Sequence, residues 1–298
     1  MPSIPMSKNL QGMLLVLGST LFLASMAAMV RHLSDSVPPM EAAFFRNFIG
    51  LLILLPTLFK YGPSLLKTDN LGFMALRGVF NAGAMITYFL AITMIPLAEV
   101  AALNFTVPLF VSLLAVLILK ERMGIRRVGS LVIGFSGALI ILRPGVEIVQ
   151  VGAIFALTSA ITWAFAVIVI KHLTGNNSSL TITFYGVLFL TIFTLPPALY
   201  DWVWPKPEDY IWLAALAGAG TIGQLMFAQG MRSADATLVM PFDFAKLIWA
   251  SLFGFIFFSQ VPTVWTFAGG ALIFAGATYL TYREGRDKRQ AEATPDPV

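Results

Sequence analysis

The chain has 298 residues, of which 58% are hydrophobic and 11% are charged, with a mean hydropathy of +0.82 and a net charge of +4. Ordinary globular domains carry about 25% charged residues, so this composition excludes a water-soluble protein and indicates a chain that faces lipid. Cysteine is absent, which excludes a disulfide framework and thiol-based redox or metal chemistry.

Ten apolar stretches follow one another along the chain, each near the roughly 20 residues that cross a hydrocarbon core about 30 Å thick. A barrel strand needs only about 9–11 residues, so these stretches predict helices. We therefore expect an all-α integral membrane protein with ten transmembrane helices, a short tail over residues 1–9 and a disordered cytoplasmic tail over residues 283–298. The predicted spans are residues 10–31, 39–59, 72–94, 97–119, 127–143, 150–171, 180–200, 210–230, 235–258 and 262–282.

Two parts of the chain repeat one another. Residues 12–56 align with residues 152–196 without a gap, and nine positions are identical. Arg31 and Lys171 occupy matched positions, and each is followed by the dipeptide His-Leu. Copies with an odd number of spans must insert in opposite orientations, an arrangement found in many secondary transporters. We therefore expect a five-plus-five inverted repeat, residues 10–145 and 146–282, around a central substrate cavity.

The lysines and arginines predict the orientation. If the N-terminus is cytoplasmic, fourteen of them lie on the inner side and three on the outer side, as the positive-inside rule requires. Both termini are therefore predicted to be cytoplasmic, in the inner (plasma) membrane of a bacterium. The cations are spread over separate loops beside the membrane, so we expect contact with membrane lipid and none with nucleic acid.

A charged side chain inside a span costs at least about 2.5–3.5 kcal/mol, so it normally faces a partner or water. Arg46 lies about one turn into the second span. We expect it to have a structural role, pairing with a carbonyl or a carboxylate. Binding of a substrate carboxylate is the alternative, since arginine can hold a carboxylate with two hydrogen bonds.

Several uncharged side chains in the spans are candidates for the wall of a cavity. Asn81 and Tyr88 are seven residues apart and share one face of the third span, and Trp163 lies midway through the sixth span. Tryptophan usually anchors at the membrane interface, so packing and substrate contact are both open for Trp163. The predicted lining is completed by Asn104, Tyr185, Gln224 and Gln229.

The ninth span carries an acid and a base three residues apart, Asp243 and Lys246, which puts them on one helix face within pairing distance. Pro241 comes just before them and can bend the helix, and interrupted spans often mark the binding region of transporters. The pair is either an internal salt bridge that stabilises packing or part of the substrate site. In the second case Asp243 couples protons, or the two charges hold an amino-acid zwitterion.

The sequence around the fourth and fifth spans resembles the drug/metabolite transporter superfamily, specifically its EamA-type members. The resemblance covers about residues 10–282. In the first half the matching residues are Phe45-Arg46 in the second span, Ala98-Glu99-Val100-Ala101-Ala102-Leu103, Pro108, Leu119-Lys120-Glu121-Arg122, Gly129 and Gly137. In the second half they are Ala234-Asp235-Ala236, Pro241, Gly269 and Gly276. It implies small-metabolite transport, with amino-acid export the commonest expectation. The second half has Ser259-Gln260 in place of the acidic-basic pair, so the two halves need not gate alike.

Glu121 and Arg122 end the fourth span on the predicted cytoplasmic side. They are expected to anchor the helix and to form a salt bridge, and a gate at the inner mouth is the alternative.

The leading hypothesis is a secondary transporter that exports amino acids, including aromatic and hydrophobic ones, by alternating access. Uptake of a nucleoside-like metabolite such as S-adenosylmethionine and export of amphipathic drugs are the alternatives within transport, and a membrane scaffold subunit is the alternative outside it. The chain has no Walker sequence, and its intramembrane acids are too sparse for a catalytic site. We therefore expect a monomer that is not an enzyme, holds no cofactor or metal, and has a small-molecule substrate as its partner.

Overall fold

The computed structural model describes residues 8–62, 66–120, 124–143, 150–173, 177–234 and 236–293. Over these ranges the secondary structure is entirely helical. The helices are α1 (Lys8–Leu33), α2 (Pro39–Tyr61), α3 (Leu71–Met94), α4 (Leu97–Asn104), α5 (Val107–Leu119), α6 (Ile125–Leu142), α7 (Val151–Leu173), α8 (Ser179–Tyr200), α9 (Asp209–Ser233), α10 (Ala236–Asp243), α11 (Ala245–Phe258) and α12 (Val264–Ala293).

Eight helical segments in the described part of the chain are long and apolar enough to cross a membrane. Two shorter apolar helices, Val128–Leu142 and Val264–Leu280, lie where the fifth and tenth spans are predicted. Exposed aliphatic and aromatic side chains such as Leu117, Val132 and Phe257 cover the outside of these helices. The prediction of an all-α integral membrane protein is therefore confirmed.

The fourth and ninth predicted spans are each divided into two helices. The short helix α4 ends at Asn104 and α5 begins at Val107, while the short helix α10 ends at Asp243 and α11 begins at Ala245. Pro108 is at the start of α5 and Pro241 is inside α10. Proline cannot donate a backbone hydrogen bond, so each span is interrupted near its proline. A bend was expected at Pro241, whereas none was predicted at Pro108.

The last helix is longer than the sequence suggested. We predicted that helix ends at residue 282 and that a disordered tail follows, but α12 continues to Ala293. Residues 283–293 are mostly Arg, Lys, Glu, Gln and Ala, which are good helix formers. Charge alone marks the end of the membrane-spanning part of a helix and does not end the helix itself.

The pairing of helices follows the repeat. The most extensive contacts are those of α1 with α9, α3 with α7, α6 with α12 and α2 with α8. In the repeat α1, α2, α3 and α6 correspond to α7, α8, α9 and α12. Replacing each helix by its counterpart turns the α1–α9 pair into the α7–α3 pair and leaves the α6–α12 and α2–α8 pairs unchanged. Ring contacts obey the same exchange, since His32 lies 4.8 Å from Trp212 and His172 lies 4.5 Å from Phe73, measured between ring centroids.

Matched glycines allow the two equivalent pairs to approach closely. A Cβ atom added to Gly12 in α1 would lie 2.7 Å from the Cβ of Ala234, and one added to Gly152 in α7 would lie 2.7 Å from the Cβ of Met94. Small residues at helix contacts are typical of membrane proteins, where packing has to replace the hydrophobic effect. The identity of these two positions in the repeat therefore has a packing cause.

Candidate functional site

A cavity of about 340 Å³ is lined by side chains from both halves of the chain. This volume lies at the lower end of the roughly 300–1,000 Å³ that is usual for small-molecule sites. Every helix except α6 contributes a described side chain. The polar lining is Arg46, Asn81, Tyr88, Asn104, Ser159, Gln224, Asp243, Lys246 and Thr278, and the apolar lining is Leu23, Met26, Ala84, Met85, Phe105, Val107, Pro108, Trp163, Leu190, Phe227, Phe274 and Ala277.

Most of the predicted site residues meet in this cavity. The side chains that line it are Arg46, Asn81, Tyr88, Asn104, Trp163, Gln224, Asp243 and Lys246. They come from seven different helices and from positions as far apart as 46 and 246 in the chain. The tertiary structure therefore brings them to one place, while their part in substrate binding stays a prediction.

The other predicted residues lie elsewhere. Tyr185 points away from the cavity, because its hydroxyl donates to the carbonyl of Leu66 at 2.8 Å and its ring stacks on Phe189. Gln229 is five residues beyond Gln224 on α9, which turns it well away from the face that lines the cavity. Pro241 is exposed beside the lining and acts through the helix interruption. Glu121 and Arg122 lie outside the described residues.

The two residues of the acid-base pair in the ninth predicted span lie on either side of the interruption between α10 and α11. Asp243 is the last residue of α10 and Lys246 is the second residue of α11. The Lys246 Nζ atom lies 3.1 Å from Asp243 Oδ1 and 3.3 Å from Oδ2. Both side chains are mostly buried, with exposed fractions of 17% for Lys246 and 13% for Asp243. The two charges therefore neutralise each other at the cavity wall.

Arg46 is also in the wall, but it has no acidic partner among the described residues. Its Nη1 donates to Asn47 Oδ1 at 2.9 Å and its Nη2 donates to Gln224 Oε1 at 3.1 Å. The Nε atom is buried and has no partner in the described structure. The partners are therefore carbonyl oxygens of two neutral side-chain amides rather than a carboxylate, and they orient the guanidinium and leave its charge uncompensated among the described residues.

An aromatic cluster closes one side of the cavity. Phe105 follows α4 and Phe244 follows α10, and their rings stack with centroids 5.6 Å apart. Phe274 of α12 lies 4.6 Å from Phe244 between centroids. With Trp163 and Tyr88 in the same lining, the cavity combines aromatic faces with a few charged and amide groups, as ligand pockets usually do.

The repeat places equivalent residues in the cavity with different chemistry. Asn104 and Asp243 are the last residues of the two short helices, and both line the cavity. Leu23 and Trp163 occupy matched positions in the first and sixth spans, and both line it as well. The two halves therefore present an amide against a carboxylate, and an aliphatic against an aromatic side chain.

Sequence reasoning missed the contribution of the last span. Phe274, Ala277 and Thr278 of α12 line the cavity, but they carry no charge and lie in an apolar sequence in which lipid-facing and cavity-facing positions look alike. The apolar residues Met26, Met85 and Phe105 were missed for the same reason. Periodicity identifies a helix face and does not tell what that face touches.

Gln260, which belongs to the Ser259-Gln260 pair in place of an acidic-basic pair, makes a hydrogen bond to the first half of the chain. Its Oε1 atom accepts a hydrogen bond from the backbone N–H of Leu97 at 3.0 Å, which joins the end of α11 to the first residue of α4. At the same junction Arg31 donates to the carbonyls of Ile92 and Ile95 at 2.7 and 2.8 Å. The residue that departs from the expected acidic-basic pair therefore holds the α3–α4 junction.

A second cavity of about 360 Å³ lies between α1, α9 and α11. Its lining is apolar and aromatic apart from Ser25 and His32, and includes Met29, Trp212 and Phe253. In the part of its lining that the structure describes there is no charged pair and no predicted site residue. Among the described residues no group of three or more His, Cys, Asp or Glu side chains is arranged to hold a metal ion.

Comparison with known proteins gives consistent matches over nearly the whole chain. The model of the EamA-like transporter family matches residues 10–143 and again residues 150–282. A riboflavin transporter of Vibrio cholerae is 31% identical, covering 94% of this chain and 96% of the relative. The pseudopaline exporter CntI of Pseudomonas aeruginosa is 29% identical over 91% of this chain and 95% of its own.

A further relative and a solved structure also match the chain. An S-adenosylmethionine uptake transporter of Rickettsia prowazekii is 27% identical, covering 86% of this chain and 87% of the relative. One solved crystal structure covers 94% of this chain and 98% of its own chain, with a TM-score of 0.59 at 20% identity, which supports the fold alone.

Proposed function

Because this chain belongs to the EamA-like transporter family, we propose that it is a secondary transporter that exports amino acids, including aromatic and hydrophobic ones, across the inner membrane of a bacterium. The observation that carries the substrate proposal is the cavity lined by side chains of both halves in which Arg46, Asp243 and Lys246 lie beside Trp163 and Tyr88. A zwitterion with an apolar side chain is complementary to that mixture of charged groups and aromatic faces.

The proposed mechanism is alternating access by two inverted five-helix halves that rock about the cavity. Three observations support it: the family model matches the chain twice, the helix pairs exchange with one another when the halves are exchanged, and each half has one interrupted span beside the cavity. In transporters with inverted repeats the substrate site lies between the repeats, next to discontinuous helices. This architecture has ten crossings and both termini in the cytoplasm.

The test is flux through the purified full-length protein in liposomes. We expect labelled phenylalanine, tryptophan or leucine to cross protein-containing liposomes faster than protein-free ones, and excess unlabelled substrate to abolish the difference. A complete set of labelled amino acids that shows no protein-dependent flux would overturn the substrate proposal.

Uptake of a nucleoside-like metabolite is the second candidate, because relatives of 27% identity are S-adenosylmethionine uptake transporters. The aromatic residues Trp163, Tyr88 and Phe105 in the cavity could stack on a purine ring. Adding labelled S-adenosylmethionine and labelled riboflavin to the same liposome assay separates this candidate from amino-acid export.

A further inference from the structure

Arg46 is a buried cation whose charge nothing in the described structure balances. Its side chain is 7% exposed, and its hydrogen bonds go to the neutral amide oxygens of Asn47 and Gln224. The guanidinium has five N–H groups, of which these two bonds use two, and the buried Nε has no partner in the described structure. The Nε N–H is packed against Gly220, so the two unused N–H groups on Nη1 and Nη2 are the donors left for a ligand at the cavity wall.

The balance of charge in the cavity is positive. Among the described residues three charged side chains line it, and of these Asp243 is paired with Lys246 at 3.1 Å. Subtracting that neutral pair leaves the single positive charge of Arg46. A buried charge without a counter-charge is unfavourable unless a ligand or water supplies the compensation, and charged groups at membrane depth typically serve function for this reason.

A second buried arginine, Arg77, serves as the comparison, and its Nε is likewise buried without a partner in the described structure. Arg77 of α3 is 9% exposed, lies against Gly186 of α8 and donates from Nη1 to the backbone carbonyl of Ile182. Arg46 of α2 lies in the same way against Gly220 of α9. The α2–α9 and α8–α3 contacts are equivalent in the repeat. Each of them packs one arginine against one glycine, Arg46 against Gly220 and Arg77 against Gly186. Only Arg46 lines the cavity.

The orientation of Arg46 is held from two sides. Gln224 of α9 accepts from Nη2, and Asn47 accepts from Nη1 while its own Nδ2 lies 3.5 Å from Thr194 Oγ1 of α8. Guanidinium groups bind carboxylates with two parallel hydrogen bonds when their plane is fixed in advance. The two amides supply that orientation without using the charge.

We propose that Arg46, oriented by Gln224 and Asn47, binds the carboxylate of the transported molecule and makes the cavity selective for carboxylate-bearing substrates that are anionic or zwitterionic. This rests on the proposed transport function and narrows it. A substrate with a net positive charge, such as S-adenosylmethionine, leaves the cavity with two excess positive charges, so it is disfavoured relative to a neutral amino acid of similar size.

Three probes of nearly the same shape test the proposal on the purified full-length protein: phenylalanine, 3-phenylpropionate, which lacks the ammonium group, and phenethylamine, which lacks the carboxylate. Affinity is measured by calorimetry and by the ligand-dependent rise in melting temperature. We expect phenylalanine and 3-phenylpropionate to bind and phenethylamine to bind at least tenfold more weakly. Arg46→Gln should weaken both carboxylates at least tenfold and should not weaken phenethylamine, because the variant removes a positive charge that repels the ammonium group.

Arg77→Gln is the matched control, because it removes an equally buried arginine outside the cavity and should leave the ratio of the three affinities unchanged. Arg46→Lys keeps the charge and loses the planar pair of donors, so it should retain part of the preference, and it serves where Arg46→Gln does not fold. If phenethylamine binds as tightly as phenylalanine to the parent protein, the assignment of Arg46 is wrong while amino-acid transport stands.

The remaining outcomes separate the two proposals. Binding of 3-phenylpropionate without phenylalanine would support the role of Arg46 and overturn amino-acid transport. Binding of none of the three probes would overturn both.

Discussion

Phe105 and Phe244 stack on each other with their ring centroids 5.6 Å apart and their planes at 26°. Each residue directly follows one of the two short helices, so the pair joins the interruption of the fourth span to that of the ninth. Asn104 and Asp243, the residues just before them, line the cavity. The stack is therefore one of the contacts that hold the interrupted helices of the two halves together, beside the hydrogen bond between Gln260 and Leu97.

Removing one ring of this stack should destabilise the protein. Phe105 is 8% exposed, and replacing a buried phenylalanine by alanine typically costs about 3–5 kcal/mol. We expect Phe105→Ala to lower the melting temperature of the detergent-purified protein clearly, and Phe105→Leu to lower it less. Phe257→Ala is the control, because Phe257 is 66% exposed on the outside. Equal melting temperatures for Phe105→Ala and Phe257→Ala would contradict the role of the stack.

The Asp243–Lys246 pair should behave as a unit. Removing one partner of a buried pair costs about 3–5 kcal/mol because the other charge is left without compensation, and the residual exposure of this pair favours the lower end. We expect Asp243→Asn or Lys246→Met alone to destabilise the protein and the double variant to recover most of the loss. A double-mutant cycle on melting temperature and yield measures the coupling, and additive effects would show that the pair does not stabilise the wall.

The same variants test proton coupling at Asp243. If Asp243 carries the coupling proton, an imposed pH gradient should drive flux through the parent protein in liposomes and should drive none through Asp243→Asn. The double variant Asp243→Asn with Lys246→Met separates loss of the proton site from an unpaired lysine. A parent protein whose flux ignores the gradient removes this role from Asp243.

Trp163 should contribute to substrate affinity and little to stability. It lines the cavity from α7, where its counterpart in the first half is Leu23. We expect Trp163→Ala to weaken phenylalanine binding about tenfold through loss of an aromatic contact worth about 0.5–1.5 kcal/mol beyond its area. Trp204→Ala is the control, since Trp204 is 77% exposed. Unchanged affinity in Trp163→Ala would make Trp163 a packing residue.

The absence of cysteine makes the orientation directly measurable. Lys206 and Lys67 are both exposed and lie between α8 and α9 and between α2 and α3, respectively. With cytoplasmic termini, Lys206→Cys should react with a membrane-impermeant maleimide on intact cells, whereas Lys67→Cys should react only after permeabilisation. Labelling of Lys67→Cys on intact cells would reverse the predicted topology.

Composition and spacing in the sequence alone were enough to predict that the chain faces lipid, that it is helical and that its two halves repeat one another. Lipid imposes helices on any apolar stretch long enough to cross it, so the membrane fold could be read from hydropathy. The family resemblance carried by the motifs of the fourth and fifth spans is confirmed by a family model that matches both halves. Charge likewise singled out Arg46, Asp243 and Lys246, because a charged residue among apolar ones needs a partner or a cavity.

Only the tertiary structure decided what each helix face touches. Tyr185 and Asn81 looked alike as polar residues in apolar spans, yet Tyr185 binds the carbonyl of Leu66 while Asn81 lines the cavity. The same holds for Phe274, which no pattern distinguished from a lipid-facing phenylalanine. In water, burial separates apolar from polar side chains, but in lipid both sides of a helix can be apolar. The rotation of each helix about its axis, and with it the lining of the cavity, is therefore set by helix packing, through contacts such as Gly12 against Ala234.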